Sequence, residues 1–182
     1  MSANTEFESS AIAAAATGAG QMPAPFTATE WLTFRLGDEE HGIDILRVQE
    51  IRSYEKPTRI SNMPDYVKGV VNLRGVIVPI LDLRMKFGMT DLRYDGVTVT
   101  IVLNVNGQII GSVVDSVSDV IELKQEEVKP FPAMTSSMES RFITGIGSVQ
   151  HEGAERTLIL LDIVSLVSSM KLALAAEELE SA

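Results

Sequence analysis

The chain has 182 residues, of which 45% are hydrophobic and 22% charged, an ordinary composition for a soluble globular protein with one core and tails. Its formal net charge is -10 at pH 7 and its sequence pI is about 4.6, so it repels nucleic acid and anionic membranes. It contains no cysteine, which excludes disulfides, thiolate zinc sites and a cysteine nucleophile and is compatible with a reducing cytosol.

Residues 1–29 are predicted to form a flexible tail. The segment is rich in Ala, Ser, Thr, Gly and Pro, and it lacks the positive start and bulky apolar core of a secretory signal. A short amphipathic docking helix in the run from Ala13 to Ala16 is the alternative. No apolar run reaches the roughly 18 uncharged residues of a membrane span, so a soluble, cytoplasmic protein is expected.

The folded part is expected to begin with two strands. Trp31, Phe34 and Leu36 mark the first strand, and the second begins at Gly42. The segment that follows fits either a helix or a strand with a bend. Its apolar residues are Ile45, Val48 and Ile51.

The sequence VVNLRGVIVPILDLR, residues 70–84, is predicted to be a hairpin. Asn72 and Gly75 fit the first and fourth positions of a type I turn, which places the Leu-Arg pair between them at the tip. The second strand contains Pro79, which cannot donate a ladder hydrogen bond, so this strand is expected to be an edge strand or to carry a bulge.

Two further hairpins are predicted beyond this one. Asn106-Gly107 is a strong turn signal between two strand-like runs. FITGIGSVQ and RTLILLDIV flank the turn HEGAE. Two long loops, KPTRISNMPDYVKG and KPFPAMTSSMESR, separate the hairpins, and many short strands joined by turns favour barrels or sandwiches.

Two aspartates are predicted to start helices. Asp82 fits the N-cap of a single turn that stops at Gly88. Asp162 fits the N-cap of a C-terminal helix that runs to Glu180, and the acidic, Ala/Glu-rich end 171–182 is expected to fray. In both places an apolar strand runs into Leu-Asp and then into a helix. This weak repeat favours two similar small β units packed together.

Catalytic and metal-binding patterns are weak. His41 and His151 sit beside acidic residues in polar turns and are interpreted as solvated, and no metal-ligand spacing or serine-nucleophile motif is present. The Gly-rich GIGS segment is not followed by the helix that a nucleotide fingerprint requires. Asp115 and Asp119 are interpreted as the solvent side of a strand rather than as an acid-base pair.

Arg74 is the residue whose position needs an explanation. The adjoining strand segment VIVPIL, residues 76–81, is apolar on both faces, which indicates core on one side and a second subdomain or another protein on the other. An arginine at the tip suits a grip on a partner's carboxylate or carbonyl groups. Equally, it could keep the turn soluble or brace the loop from within.

Three blocks, GDEEHGIDILRVQEI, YVKGVVNLRGVIVPILDLRMKFG and VVDSVSDVIEL, closely resemble the CheW family of bacterial chemotaxis adaptors. The resemblance covers residues 30–170. It implies a mostly β fold of two five-stranded SH3-like β-barrel subdomains on a shared core, with short helices and a C-terminal helix. It also implies a protein that is not an enzyme and needs no cofactor.

The same resemblance implies the partners. Such adaptors couple the cytoplasmic tips of methyl-accepting chemoreceptors to the histidine kinase CheA, whose C-terminal regulatory domain shares their fold, in polar arrays at the inner membrane. A groove between the subdomains takes the receptor tip, and the kinase surface is assigned loosely to the second subdomain. The positions implied in receptor binding are Val48, Glu50, Gly69, Arg74 and Val99.

The chain leaves no room for a receiver or an ATP-binding domain, so a stand-alone adaptor is expected. A hypothesis from another class is a small β-barrel that binds a metabolite, or an enzyme of unknown type. Turnover or stabilisation by a small ligand would favour that class. Co-sedimentation with receptor-containing membranes and kinase would favour the adaptor.

Overall fold

The computed structural model describes residues 29–132 and 138–170, which fold into eleven strands. The predicted C-terminal tail, and the predicted N-terminal tail except for Thr29, lie outside the described residues. The prediction of a mostly β protein is confirmed. The strands are β1 (Thr29–Leu36), β2 (Glu39–Asp44), β3 (Val48–Ser53), β4 (Val67–Leu73), β5 (Val76–Asp82), β6 (Val99–Val105), β7 (Gln108–Val114), β8 (Ser116–Leu123), β9 (Val128–Lys129), β10 (Ile143–His151) and β11 (Ala154–Leu161). The helices are α1 (Leu83–Lys86) and α2 (163–170), with 3-10 turns at Ile45–Arg47, Gln125–Glu127 and Met138–Phe142.

The strands form two sheets, and the chain passes from the first to the second and back again. The first sheet has the order β8-β1-β2-β11-β10-β9 and the second has the order β3-β6-β7-β5-β4. β3 follows β2 along the chain but pairs with β6, and β8 follows β7 but pairs with β1. The second sheet is therefore built from the consecutive strands β3 to β7, which lie between the two parts of the chain that form the first sheet.

In each sheet, the chain that leaves one edge strand returns to the opposite edge of the same sheet. After β3, Thr58 forms a bridge with Val70 of β4. After β8, the two-residue strand β9 pairs with β10. These contacts bring the two edges of each sheet together, so that each sheet forms a barrel-like unit. The prediction of two β subdomains is confirmed. The first subdomain has the short strand β9 in addition to five longer strands.

The weak sequence repeat reflects a structural one. Asp82 ends β5 and Asp162 follows β11, and the side chain of each accepts a hydrogen bond from the first turn of the next helix, which confirms both N-caps. The backbone N–H of Asp82 donates to the carbonyl of Tyr66 and that of Asp162 to the carbonyl of Phe142, each over 2.7 Å. In both cases the acceptor directly precedes the first strand of the hairpin.

Three details differ from the sequence prediction. β2 begins at Glu39 rather than at Gly42, and the segment that fitted a helix or a bent strand is a 3-10 turn followed by β3. β5 is an interior strand between β4 and β7. Pro79 is tolerated there because pairing with β7 begins only at Ile80, and the bulge lies in β4 near Gly69.

His41 was wrongly interpreted as a solvated turn residue. It lies on β2, which is flanked by β1 and β11, and only 4% of it is exposed. Its ring stacks on Phe34 with 5.8 Å between centroids. The side chain of His151, in contrast, is 56% exposed, as expected for a turn.

One hydrophobic core joins both sheets and both helices. Because burying a leucine-sized side chain contributes about 2 kcal/mol, this shared cluster is a large part of what holds the two units together. In the part of the chain that the structure describes, no helix is long and apolar enough to cross a membrane. Representative members of the core are Phe34, Leu36, Leu81, Leu83, Ile101, Leu103, Ile163 and Leu166.

Candidate functional site

The turn between β4 and β5 has two central residues, Arg74 and Gly75. Leu73 pairs with Val76 across the hairpin, and both central residues have positive φ, 53° and 87°, as in a type I′ turn. The Gly75 N–H donates to Asn72 Oδ1 over 2.7 Å. The predicted type I turn with Leu73 at the tip is therefore wrong, because the Asn-x-x-Gly spacing fits a I′ turn equally well.

The turn between β6 and β7 has the same construction with a different residue. Asn106 and Gly107 have φ of 52° and 85°, and the Gly107 N–H donates to Asn104 Oδ1 over 3.0 Å. Asparagine tolerates this left-handed conformation, whereas in other residues the Cβ crowds the carbonyl oxygen at a cost of about 1–2 kcal/mol. Glu152 and Gly153 have φ of 51° and 79° in the turn between β10 and β11, so Arg74 is one of two charged residues that hold this conformation in the described hairpins.

From the turn, the side chain of Arg74 reaches Glu50 on β3. Its Nη2 donates to Glu50 Oε2 over 2.9 Å, while Arg52 Nη1 donates to Glu50 Oε1 over 3.1 Å. The hydrogen bond from Arg52, together with the hydrogen bond and charge of Arg74, holds the pKa of Glu50 below its usual value. Arg74 remains 75% exposed, so other guanidinium donors stay open to a partner.

Two exposed apolar residues follow the Arg74 turn at the start of β5. Val76 is 52% exposed and Ile77 61% exposed, whereas Val78 and Ile80 further along the strand are buried. The apolar segment therefore splits into an inner part, which belongs to the core, and an outer part beside Arg74. A cation close to exposed apolar residues is a composition typical of binding hot spots.

Gly69 is required by the closure of the second barrel. A Cβ atom built on it would lie 2.0 Å from the carbonyl oxygen of Thr58, and its φ is 137°. Gly145 is its counterpart in the first sheet, where a Cβ would lie 2.7 Å from the carbonyl oxygen of Lys129. Both glycines sit at register shifts where the returning chain crosses the sheet. The absence of a side chain at Gly69 therefore lets the backbone at Thr58 approach β4.

The two predicted valines are partly buried. Val48 begins β3 opposite Leu103, and Val99 begins β6 opposite Ser53, so they lie at opposite ends of the β3–β6 pair. Both pack against the shared core. Of the five predicted positions, the structure thus brings Glu50 and Arg74 into direct contact and places the other three in the supporting framework.

An apolar groove opens beside Gly69, between the second sheet and helix α2. It encloses about 90 Å³. Because α2 follows the last strand of the first sheet, the groove lies where the two units meet. Its loop residues were missed by sequence reasoning, since they have no periodicity. Its lining residues include Ile60, Met63, Val70, Pro79, Leu81, Ile110, Val167 and Met170.

A buried ion network was also missed. Arg84 is 0% exposed and donates from Nε and Nη2 to the two carboxylate oxygens of Asp82, over 3.0 and 2.9 Å. Its Nη1 donates to Asp115 Oδ1 and to the carbonyl of Arg93. Tyr94 Oη donates to Asp82 Oδ2 over 2.7 Å. With its donors satisfied internally, the network ties α1 to the loop 88–98 and to the start of β8.

Within residues 29–132 and 138–170, no group of His, Cys, Asp or Glu side chains is arranged to hold a metal ion. The β4–β5 hairpin offers a charged fork and exposed apolar residues at its tip, and an apolar groove further along the same two strands. These are features of a protein-binding surface.

Comparisons with known proteins agree with this description. The family model of the CheW-like domain matches residues 30–171. The chain is 52% identical over 145 residues to the chemotaxis protein CheW of Klebsiella aerogenes, which covers 80% of this chain and 85% of that protein. It is 30% identical over 106 residues to the chemotaxis protein CheW of Bacillus subtilis, covering 58% of this chain and 68% of that protein.

A solved structure shares the fold. The scaffolding protein TtCheW of Thermoanaerobacter tengcongensis matches with a TM-score of 0.65 and 28% identity, covering 74% of this chain and 88% of that one. The family model and the Klebsiella relative each span most of the chain. The chain therefore belongs to the CheW family of non-catalytic chemotaxis adaptors.

Proposed function

We propose that this adaptor couples the cytoplasmic tips of chemoreceptors to the histidine kinase CheA, through the kinase's C-terminal regulatory domain, in arrays at the inner membrane. The domain that does so spans residues 30–170. The proposal is supported by the family match and by relatives named chemotaxis protein CheW. The observation that carries it is the exposed Arg74 guanidinium group, which Glu50 holds at the tip of the β4–β5 hairpin.

Arg74 holds a left-handed conformation that its own side chain disfavours. The equivalent position is Asn106 between β6 and β7 and Glu152 between β10 and β11, so this protein accepts a long side chain in this conformation more than once. The ion pair with Glu50 offsets little of the cost, because an exposed pair contributes about 0–1 kcal/mol. An exposed guanidinium group that adds little stability is available to a partner, and its planar fork suits a receptor carboxylate or carbonyl group.

The other four positions support Arg74. Glu50 orients the guanidinium group, and Gly69 allows the barrel closure that holds the apolar groove open beside it. Val48 and Val99 pack the ends of the β3–β6 pair against the core. The groove, with Met63 and α2 at its edges, takes the apolar part of the receptor tip. The surface that binds the regulatory domain of the kinase is assigned to the second subdomain of this protein.

The test is reconstitution of receptor-containing membranes with kinase and purified adaptor. Arg74→Asn removes the charge while giving the turn the residue it prefers, so it is expected to fold at least as stably as the parent protein. It should still bind the kinase but sediment with receptor membranes poorly and activate the kinase weakly. Lys129→Asn, which removes an exposed charge from the first sheet, is the control. Normal receptor coupling by Arg74→Asn would overturn the proposal.

A further inference from the structure

A second cavity, here called the basic cleft, has more positively than negatively charged side chains in its lining, although the protein as a whole is negatively charged. It has a volume of about 420 Å³ and is lined by the segment after β3, the start of β4, α1 and Tyr94. Lys56, Arg59 and Lys68 line it, against Asp65 as the acidic residue among the described lining residues. The whole chain carries -10. The cleft is therefore a local centre of positive potential on an acidic protein.

The cations of the basic cleft are not neutralised by the fold. In the described part of the chain, none of the ion pairs involves Lys56, Arg59 or Lys68. Lys56 and Arg59 are exposed, and Lys68 lies with its Nζ 5.3 Å from the ring centroid of Tyr94. Their positive charge is thus available to a ligand.

The floor of the basic cleft is rigid. Tyr94 is fixed by its hydrogen bond to Asp82, and the buried Arg84 guanidinium lies 4.8 Å from the Tyr94 ring centroid. The ring of Tyr54 packs on Tyr94 with 4.6 Å between centroids. The buried ion network therefore holds the aromatic surface in place before any ligand arrives, which lowers the entropy cost of binding.

The walls of the basic cleft are apolar and accessible. Ile60 is 42% exposed and Met63 36% exposed, and Pro57 and Pro64 flank them. An inorganic anion or a phosphate group would use the cations but leave these apolar groups unused. A peptide with acidic residues around an apolar one would use both, and the volume lies within the roughly 300–1,000 Å³ of ligand sites.

We propose that the basic cleft binds an acidic segment of a partner protein, with an apolar side chain packed on Ile60 and Met63 and its carboxylates facing the three cations. The site goes beyond receptor coupling through Arg74. It adjoins the apolar groove and shares Ile60, Met63 and Val67 with it, but its cations and Met85 belong to the cleft alone. Met85 therefore reports on the cleft and Met170 on the groove.

The test uses the full chain with ¹³C-labelled methionine methyl groups. The probes are blocked hexapeptides that place leucine among glutamates, each paired with its glutamine counterpart. At least one glutamate peptide is expected to shift the Met85 methyl resonance and to bind at least about tenfold tighter than its glutamine counterpart, with affinity falling as salt rises.

Three double variants complete the design, and the two that introduce glutamates change the charge by the same amount. Lys56→Glu with Arg59→Glu should lower the affinity at least about tenfold, and Lys56→Gln with Arg59→Gln should lower it less. Lys124→Glu with Lys129→Glu, at exposed residues just after β8 and on β9, should leave it within about twofold, because screening weakens distant charges. Equal losses in the two Glu variants, no preference for glutamate peptides, shifts confined to Met170, or a Met85 response to pyrophosphate alone would each overturn the proposal.

Discussion

Arg74 Nη2 lies 2.9 Å from Glu50 Oε2, so two positions 24 residues apart in the sequence form one charged unit at the tip of the second barrel. Glu50 is 22% exposed in its side chain and is also held by Arg52. The carboxylate is therefore the fixed member and the guanidinium the one that faces outward. This geometry positions Arg74 without burying it.

Arg74→Ala is expected to change the free energy of unfolding by no more than about 0.5 kcal/mol, because the side chain is 75% exposed. Receptor-stimulated kinase activity should nevertheless fall strongly. Arg74→Lys keeps the charge but lacks the planar fork, so it should restore coupling only in part. Thermal melting and kinase assays on the three proteins check this. If Arg74→Ala melts many degrees early, the arginine is a brace for the loop.

Gly69→Ala is expected to destabilise the protein by about 3 kcal/mol or more, because the new methyl group would overlap the Thr58 carbonyl at a positive φ. Gly107→Ala separates these two causes, since its φ is 85° and nothing lies within 4 Å of the added methyl. It should cost only the backbone strain of about 1–2 kcal/mol. Urea denaturation measures both.

Equal losses in the two glycine variants would contradict the clash with Thr58. If the larger loss is found for Gly69→Ala, any coupling defect of that variant follows from opening of the barrel. It would then not be evidence for a receptor contact at residue 69 itself.

Much of the fold follows from local chemistry that can be read in the sequence. The Asn-x-x-Gly turns, the N-caps at Asp82 and Asp162 and the apolar strands were predictable because each depends on residues only a few positions apart. The repeat of strand, Leu-Asp and helix start was visible for the same reason. The type of the Arg74 turn was not, since arginine gives no signal for a left-handed conformation.

What sequence reasoning missed depends on distant pairing. The polar neighbours of His41 in the sequence suggest a turn, but its burial is decided by β11, more than a hundred residues later. The closure that requires Gly69 depends on Thr58 returning to β4. Ile60 and Met63 lie in an irregular loop, so no period marks them as part of the groove or of the basic cleft. The five site positions were predicted from the resemblance to a family. The structure shows that Arg74 and Glu50 contact each other, whereas the other three positions belong to the supporting framework.

Arg84→Met is expected to destabilise the protein by about 3–5 kcal/mol, because it leaves the buried carboxylate of Asp82 without its partner. The double variant Arg84→Met with Asp82→Leu removes both charges and should be more stable than the single variant. The second carboxylate, Asp115, is 32% exposed and can be solvated. Urea denaturation of the two variants is the measurement. A double variant less stable than Arg84→Met alone would contradict the cost assigned to the unpaired carboxylate.

His41 should make the protein less stable in mild acid. Burial lowers the pKa of His41 from 6.5 to about 4, and a backbone hydrogen bond with Glu39 only partly opposes this. Between pH 6.5 and 4 the unfolded chain binds a proton at His41 that the folded chain does not. The contribution to the free energy of unfolding is therefore complete above about pH 6.5, and about 3 kcal/mol of it is lost as the pH falls towards 4. Carboxylates titrate in the same pH range, so variants are needed to isolate the contribution of His41. His41→Phe should lose the part of the pH dependence that comes from the buried imidazole. His151→Gln is the control and should keep it, because His151 is exposed. Urea denaturation from pH 7 to 4 measures the difference, and a His41→Phe slope equal to that of the parent protein would show that the buried imidazole is not its source.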